Sequence, residues 1–195
     1  MKLVQAFFIR KNVTLIARQM LGKVLVSNIC NQKTSGMIVE VEAYSSKERG
    51  SHAYRGMTMR NEVMFEEGGR AYVYLCYGVH QMFNVVTNER GKADAILIRA
   101  LEPLSGIETM MERVGTRSSV KITSGPGKLT KAMGIDRKWN GEDLEKNVIW
   151  VEDHGIRIKR TDIVSGPRIG IDYAGDDARL PWRFTIRENK WISGK

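Results

Sequence analysis

The sequence predicts a single mixed α+β domain over residues 1–195, built on a curved, mainly antiparallel sheet flanked by helices. Three observations support this fold class. The length of 195 residues suits one compact domain. A content of 42% hydrophobic and 27% charged residues provides a continuous core and excludes a disordered chain. Short alternating runs, separated by turns, recur along the chain between a few helical patterns.

The N-terminal part is predicted to form a helix followed by a hairpin. Asn12 can cap a helix over Val13–Leu21, where apolar residues recur every three or four positions. Strands are predicted over Lys23–Cys30 and Met37–Tyr44, with a polar turn over Asn31–Gly36 between them.

The second of these strands carries two carboxylates. Residues two apart in a strand share a face, so Glu40, Glu42 and Tyr44 point one way and the apolar residues between them point the other. A carboxylate in a partly dry pocket can act as a general base. Spacing alone also allows both glutamates to be solvent-exposed, and it does not distinguish Glu40 from Glu42.

The rest of the chain is predicted to contain a long loop, further strands and two helices. Residues 45–60 are polar and non-periodic, and a loop of this length is often functional. After it, Asn61 can cap a short helix. A buried strand over Ala95–Leu101 contains Arg99, whose charge requires a partner. The other predicted strands are Ala71–Tyr77, Met82–Thr87, Val148–Val151, Arg168–Ile171 and Trp182–Arg187, and the predicted helices are Leu104–Val114 and Leu129–Met133.

The charge balance indicates a polyanionic partner. The chain has 31 basic and 22 acidic residues, a net charge of +9 and a pI near 9.7. Nucleic acid is the obvious candidate, although basic enzymes of phosphorylated metabolites share this composition. Tyr72, Tyr74 and Tyr77 suit base stacking, but they equally suit packing in a β-sheet core.

Several function classes lose support from the sequence. The two cysteines and three histidines are scattered, so we expect no disulfide framework, no metal and no cofactor. No run approaches the ~18 apolar residues of a membrane span, and a reducing, cytoplasmic location is expected. Glycine-rich phosphate motifs and a GxSxG motif are absent, which leaves a carboxylate and water as the most plausible catalytic groups.

Seven short strings occur in order along nearly the whole chain. They are Leu21–Val26, Ile38–Tyr44, Tyr72–Gly78, Phe83–Asn84, Leu97–Pro103, Ser124–Leu129 and Pro167–Ile171. Together they resemble the alkyladenine (3-methyladenine, N-methylpurine) DNA glycosylase family. The resemblance implies a monofunctional base-excision repair enzyme that flips alkylated or deaminated purines out of duplex DNA and hydrolyses the N-glycosidic bond. It also implies a fold like the barrel of formyltransferase C-terminal domains.

The resemblance implies that Glu42 is the carboxylate that activates water and that Arg99 helps to hold this water. Arg99 would then pair with Glu42, which satisfies its need for a partner. Glu40 has no role in this scheme, and we expect the substitution Glu40→Gln to be mild.

Five further positions match residues that contact DNA in the family. Tyr44, Tyr74 and the region of His52 would sandwich and read the flipped base, with the backbone amide near His52 as the reader. Asn84 would exclude the exocyclic amine of guanine, and Tyr77 would fill the gap in the duplex. The implied partner is double-stranded DNA containing damaged purines, bound by a monomer.

Two rival classes are a non-catalytic nucleic-acid-binding module and a formyltransferase-type accessory domain. The first leaves the pair of Glu42 and Arg99 unexplained, and the second requires a catalytic domain that this sequence lacks. The chain also departs from the family pattern around the expected pocket. The loop formed by residues 45–51 is shorter than in the family, and the segment formed by residues 87–93 is longer. His80 and Gln81 stand in the turn after Tyr77.

Overall fold

The computed structural model describes residues 1–194 and contains one eight-stranded sheet with helices against it. The strands are β1 (Val24–Ile29), β2 (Gln32–Tyr44), β3 (Ala71–Cys76), β4 (His80–Thr87), β5 (Asp94–Ser105), β6 (Ile149–Glu152), β7 (Ile163–Gly166) and β8 (Arg183–Ile186). The α-helices are α1 (Gln5–Phe8), α2 (Val13–Met20), α3 (Ile107–Val114) and α4 (Pro126–Met133). Short 3-10 helices cover Glu62–Phe65, Arg137–Trp139, Arg160–Asp162 and Asp172–Arg179.

The sheet follows the order β3-β4-β5-β2-β1-β6, and β8 pairs with both β2 and β7. Within residues 1–194, neighbouring strands pair antiparallel throughout the sheet. The predicted α+β fold class with a curved, antiparallel sheet is therefore confirmed. Helix α2 packs on β2, and α4 packs on β4 and β5, so the main core lies between the sheet and these helices. No helix within residues 1–194 is long and apolar enough to cross a membrane.

Helix α2 and the hairpin of β1 and β2 correspond to the predicted helix and hairpin, whereas helix α1 was not predicted. Helix α2 begins as expected, because the Asn12 side chain accepts a hydrogen bond from Leu15 N at 3.0 Å. The predicted turn over Asn31–Gly36 is wrong, since β2 already begins at Gln32. The turn consists of Cys30 and Asn31, which both have positive φ angles, as a two-residue hairpin turn requires.

Three further predictions of secondary structure are wrong. The predicted helix Leu104–Val114 is too long at its beginning, because Leu104 belongs to β5 and α3 begins after Gly106. The φ of +70° at Gly106 ends the extended backbone before the helix. Residues 168–171 form no strand, whereas β7 was not predicted. Asn61 makes no capping hydrogen bond to the helix that follows it; its side chain instead binds the loop before it, donating to the carbonyl oxygens of His52 and Gly56.

The pairing of β2 with β5 contains two β-bulges, one on each strand, close to the site. Between β2 and β5, Ile38 pairs with Leu101, Glu40 with Ala100, and Val41 with Ile98. Val39 and Arg99 therefore have no partner in the register, which makes each the extra residue of a bulge. Bulges re-aim side chains and are common beside active sites.

Candidate active site

A cavity of about 480 Å³ opens beyond the end of β2, beside strands β3, β4 and β5. Six of the seven site residues predicted from the sequence line it: Tyr44, His52, Tyr74, Tyr77, Asn84 and Arg99. Glu42 lies directly behind this lining, because it is hydrogen-bonded to both Tyr44 and Arg99. The fold thus brings all seven together.

Glu42 is fully buried and is held by three donors. The Tyr44 hydroxyl donates to Glu42 Oε2 at 2.8 Å, and Arg99 Nη1 donates to the same oxygen at 3.3 Å. The backbone N–H of Ile169 donates to Oε1 at 2.8 Å. A carboxylate can accept about four hydrogen bonds. Glu42 therefore retains an acceptor position for one more donor, such as a water molecule.

Segment 168–171, which was predicted to be a strand, contributes to the site in another way. Its backbone and side chains bind carboxylates instead of a neighbouring strand: Ile169 binds Glu42, and the Arg168 guanidinium binds Glu48 at 2.6 and 2.7 Å. The Arg168 guanidinium also lies 4.7 Å from the centroid of the Tyr44 ring. Sequence alternation gave no signal for these contacts.

Arg99 lies at the β5 bulge and reaches both carboxylates of β2. Its Nε donates to Glu40 Oε1 at 3.0 Å, and the predicted contact with Glu42 is present. Burial by itself lowers the pKa of Arg99, but the charges of Glu42 and Glu40 more than offset burial and raise this pKa above its usual value. The guanidinium is therefore a fixed positive charge.

Glu40 is fully buried, contrary to the alternative of a solvent-exposed glutamate. It accepts hydrogen bonds from Arg99 Nε, from Arg183 Nε at 2.7 Å, and from Ser193 N and Oγ at 2.7 and 2.8 Å. Two carboxylates, Glu40 and Glu42, thus face two guanidiniums. Sequence reasoning missed Arg183 and Ser193. Spacing gave no signal for either residue, because it left open whether Glu40 and Glu42 are buried and therefore whether a second cation is needed.

The wall of the cavity is aromatic. The His52 and Tyr74 rings lie 4.5 Å apart between centroids, and those of Tyr72 and Tyr74 lie 5.4 Å apart. Burial raises the pKa of Tyr72 to about 12, and burial also raises the pKa values of Tyr44 and Tyr74. Desolvation of the imidazole, together with the nearby Arg60 charge, lowers the pKa of His52. These rings are therefore neutral at neutral pH.

Two contacts of Tyr72 fix the residues around it. Its hydroxyl lies 2.9 Å from His52 Nδ1, and its carbonyl oxygen accepts a hydrogen bond from the Asn84 side-chain amide at 3.1 Å. Asn84 is only 4% exposed. The sequence offered Tyr72 as one of three tyrosines, without indicating that it would support His52 and Asn84.

Tyr77 lies on the rim, in the turn between β3 and β4. It has a φ of +50°, Gly78 follows with +72°, and Tyr77 is 87% exposed. A large aromatic side chain held in a tight turn and exposed to solvent is unusual. Val79 in the same turn is also exposed, as is Tyr173, which lines the cavity.

None of residues 87–93 lines the cavity. Asn88 N–H donates to Phe8 O, and Gly91 N–H donates to Phe65 O, both at 2.8 Å. His80 packs against Gly127 at the beginning of α4. In the described range 1–194, no group of three or more His, Cys, Asp or Glu side chains has the arrangement of a metal site.

Comparison with known proteins gives this cavity its context. Residues 6–190 match the family described as "Methylpurine-DNA glycosylase (MPG)". A protein of Carboxydothermus hydrogenoformans, named "Putative 3-methyladenine DNA glycosylase", is 45% identical over 188 residues, which cover 96% of this chain and 97% of the relative. A protein of Methanocella arvoryzae with the same name is 46% identical over 181 residues, covering 91% and 89% of the two chains. The chain therefore belongs to the methylpurine-DNA glycosylase family, the DNA repair hydrolases that cleave N-glycosyl bonds.

Proposed function

We propose that this enzyme flips alkylated or deaminated purines out of duplex DNA and hydrolyses their N-glycosidic bond with a water activated by Glu42. The products are the free base and an abasic site. One observation carries this proposal. A fully buried carboxylate, held by three donors and retaining one acceptor position, lies behind the wall of an aromatic cavity.

In the proposed reaction, water donates a hydrogen bond to Glu42 and attacks C1′ of the flipped nucleotide. The C1′–N bond breaks, its electron pair leaves with the base, and the water proton passes to Glu42. Positive charge develops on the sugar as the bond breaks. The carboxylate therefore both accepts the proton and stabilises the oxocarbenium-like transition state, while Arg99 holds the carboxylate and the water in place.

The base would lie against Tyr44 and Tyr74. The faces of these neutral rings carry negative electrostatic potential and attract electron-poor or cationic bases, such as 3-methyladenine. The backbone N–H of His52 has no acceptor among residues 1–194, so it is available to donate a hydrogen bond to the edge of the base. The proposed role of Asn84 is to exclude the exocyclic amine of guanine, and the hydrogen bond from its side-chain amide to the Tyr72 carbonyl oxygen supports this by fixing the side chain.

Extrusion of the base would be supported by Tyr77. Flipping costs a few kcal/mol, and a side chain inserted into the vacated stack offsets part of this cost. The exposed position of Tyr77 in a turn on the cavity rim fits this role. The net charge of +9 favours duplex DNA as the partner, and we propose that the enzyme acts as a monomer in the cytoplasm, on genomic DNA.

Incubation with duplex oligonucleotides tests the proposal. Each duplex would carry one 3-methyladenine, hypoxanthine, ethenoadenine or unmodified adenine, and abasic sites would be cleaved afterwards with alkali. We expect strand cleavage after alkali for at least one lesion and none for unmodified adenine. Binding to every duplex without any abasic product would favour a non-catalytic binding module. Strand cleavage before alkali would contradict a monofunctional mechanism.

A further inference from the structure

We propose that Glu40 and Ser193 are positioning residues that hold Arg99 against Glu42, which makes the C-terminal segment a part of the active site. This inference rests on the proposed role of Glu42. Neither residue contacts the base in this scheme. Both act through the Arg99 guanidinium.

Each nitrogen of the Arg99 guanidinium has a different partner. Nε donates to Glu40 at 3.0 Å, Nη1 to Glu42 at 3.3 Å, and Nη2 to the Ser193 hydroxyl at 3.4 Å. A guanidinium is planar, so contacts at all three nitrogens fix both its position and its rotation. The contact with Glu42 therefore depends on the other two.

Ser193 also holds Glu40. Its backbone N–H and its hydroxyl donate to the two oxygens of the Glu40 carboxylate at 2.7 and 2.8 Å. Without the hydroxyl, Glu40 would lose a donor and Arg99 Nη2 would lose its acceptor. Arg99 could then turn to bind Glu40 through two nitrogens, the geometry that arginine prefers with carboxylates, and leave Glu42.

The C-terminal segment is anchored well enough to serve this purpose. Asn189 Nδ2 donates to Glu102 Oε2 at 2.8 Å on β5, and the Ser124 hydroxyl donates to Trp191 O. Trp191 packs against the main core. Ser193 is 8% exposed, although it lies 153 residues along the chain from Glu40. Its position is thus fixed by contacts of the C-terminal segment with β5 and with the residues just before α4.

The substitution Ser193→Ala tests the inference, with Ser35→Ala as a matched control. Ser35 is also 8% exposed, and its hydroxyl bonds to Ser105 at 2.7 Å near the other end of β2. We expect Ser193→Ala to lower the single-turnover excision rate about tenfold while the Kd for damaged duplex stays within about twofold. Ser193→Thr, which keeps the hydroxyl, should restore most of the rate, and Ser35→Ala should change neither quantity.

A double-mutant cycle separates positioning from general destabilisation. If Ser193 acts through Arg99, Ser193→Ala should cost about tenfold in the wild-type background and almost nothing in an Arg99→Gln background. Equal losses in the two backgrounds would overturn the inference. If the wild-type enzyme excises lesions and Ser193→Ala excises them at the same rate, the inference is overturned as well. The proposed function then remains intact.

A spectroscopic measurement tests the inference even if excision itself is not observed. The Arg99 Nε–H resonance reports the contact with Glu40 directly. We expect Ser193→Ala or Glu40→Gln to shift this resonance and to speed its exchange with solvent, whereas Ser35→Ala should leave it unchanged. A resonance that Ser193→Ala does not move would contradict the proposed geometry, regardless of which reaction the enzyme catalyses.

Discussion

Replacing Glu42 by glutamine removes one negative charge from the site while nearly preserving the shape of the side chain. The native carboxylate accepts hydrogen bonds on both oxygens, from Ile169 N–H on one and from Tyr44 and Arg99 on the other. Glutamine has a single acceptor oxygen, so its side-chain NH2 group must face the N–H or O–H donors on one side of the site. The network then has two guanidiniums and only one carboxylate.

Two different magnitudes follow from this change. General base catalysis contributes about 10²–10⁴ to a rate, so we expect excision by Glu42→Gln to fall by about 10³, or ~4 kcal/mol. Hydrogen bonds to a charged group contribute about 1.5–3 kcal/mol each, and some are retained by the amide. We therefore expect the free energy of unfolding to fall by about 2 kcal/mol, which lowers Tm by roughly 4–8 °C. Affinity for damaged duplex should be retained or increased.

Single-turnover excision, fluorescence anisotropy with a damaged duplex and thermal melting measure these three quantities. Asp94→Asn is a matched control, because Asp94 is a buried carboxylate on β5 that accepts a hydrogen bond from Asn88 Nδ2 at 2.9 Å and does not line the cavity. It should lower Tm and leave the rate within about threefold. A Glu42→Gln rate within about tenfold of wild type, ~1.4 kcal/mol, would refute Glu42 as the general base.

Three other perturbations have defined outcomes. Tyr77→Ser should slow single-turnover excision of a lesion more when it is opposite its normal partner than when it is mismatched, because a mismatched base is already partly extruded; equal losses with a lowered Tm would indicate a merely structural tyrosine. Exhaustive chelation with EDTA should leave excision unchanged, whereas added salt should weaken duplex binding, and activity restored only by a divalent ion would contradict this. The lowered pKa of His52 means that the unfolded chain binds a proton more readily, so stability should decline as the pH falls below about 6.5; melts of His52→Gln should show less of this decline.

Local periodicity was sufficient to predict the residues that alternate along one regular element. The helix capped by Asn12 and the shared face of Glu40, Glu42 and Tyr44 are present as expected. The need of Arg99 for a partner was also inferable, because a charge in a buried strand requires an opposite charge, but only the resemblance to the glycosylase family identified Glu42 as that partner. These predictions depend on rules that act over a few residues or on charge balance.

Other features depend on contacts that no local rule contains. The polar segment Asn31–Gly36 was predicted to be a turn, yet Thr34 and Ser35 lie in β2, where their hydroxyls bond to those of Ser27 and Ser105 on the neighbouring strands. The bulges at Val39 and Arg99 arise from the pairing of two strands that are distant in sequence. No periodic pattern in the sequence predicts either feature.

The expectation that Glu40→Gln would be mild has to be replaced for the same reason. Spacing could not show that Glu40 accepts four hydrogen bonds from three residues. Removing its charge would leave Arg99 and Arg183 facing Glu42 alone, and breaking a buried ion pair from one side costs about 3–5 kcal/mol. We therefore expect Glu40→Gln to be less stable than wild type and to lose rate through the displacement of Arg99.

The same charge balance explains why a general base can be buried so completely. A lone carboxylate moved out of water takes up a proton rather than bear the cost of desolvation, and a protonated carboxyl group cannot activate water. Here the guanidiniums of Arg99 and Arg183 offset that cost for two carboxylates at once. The charges come from β2, β5 and β8, and Ser193 of the C-terminal segment completes their hydrogen bonds. The reactivity proposed for Glu42 is therefore a property of four distant chain segments, which is why a motif around Glu42 can locate the base but cannot specify what keeps it active.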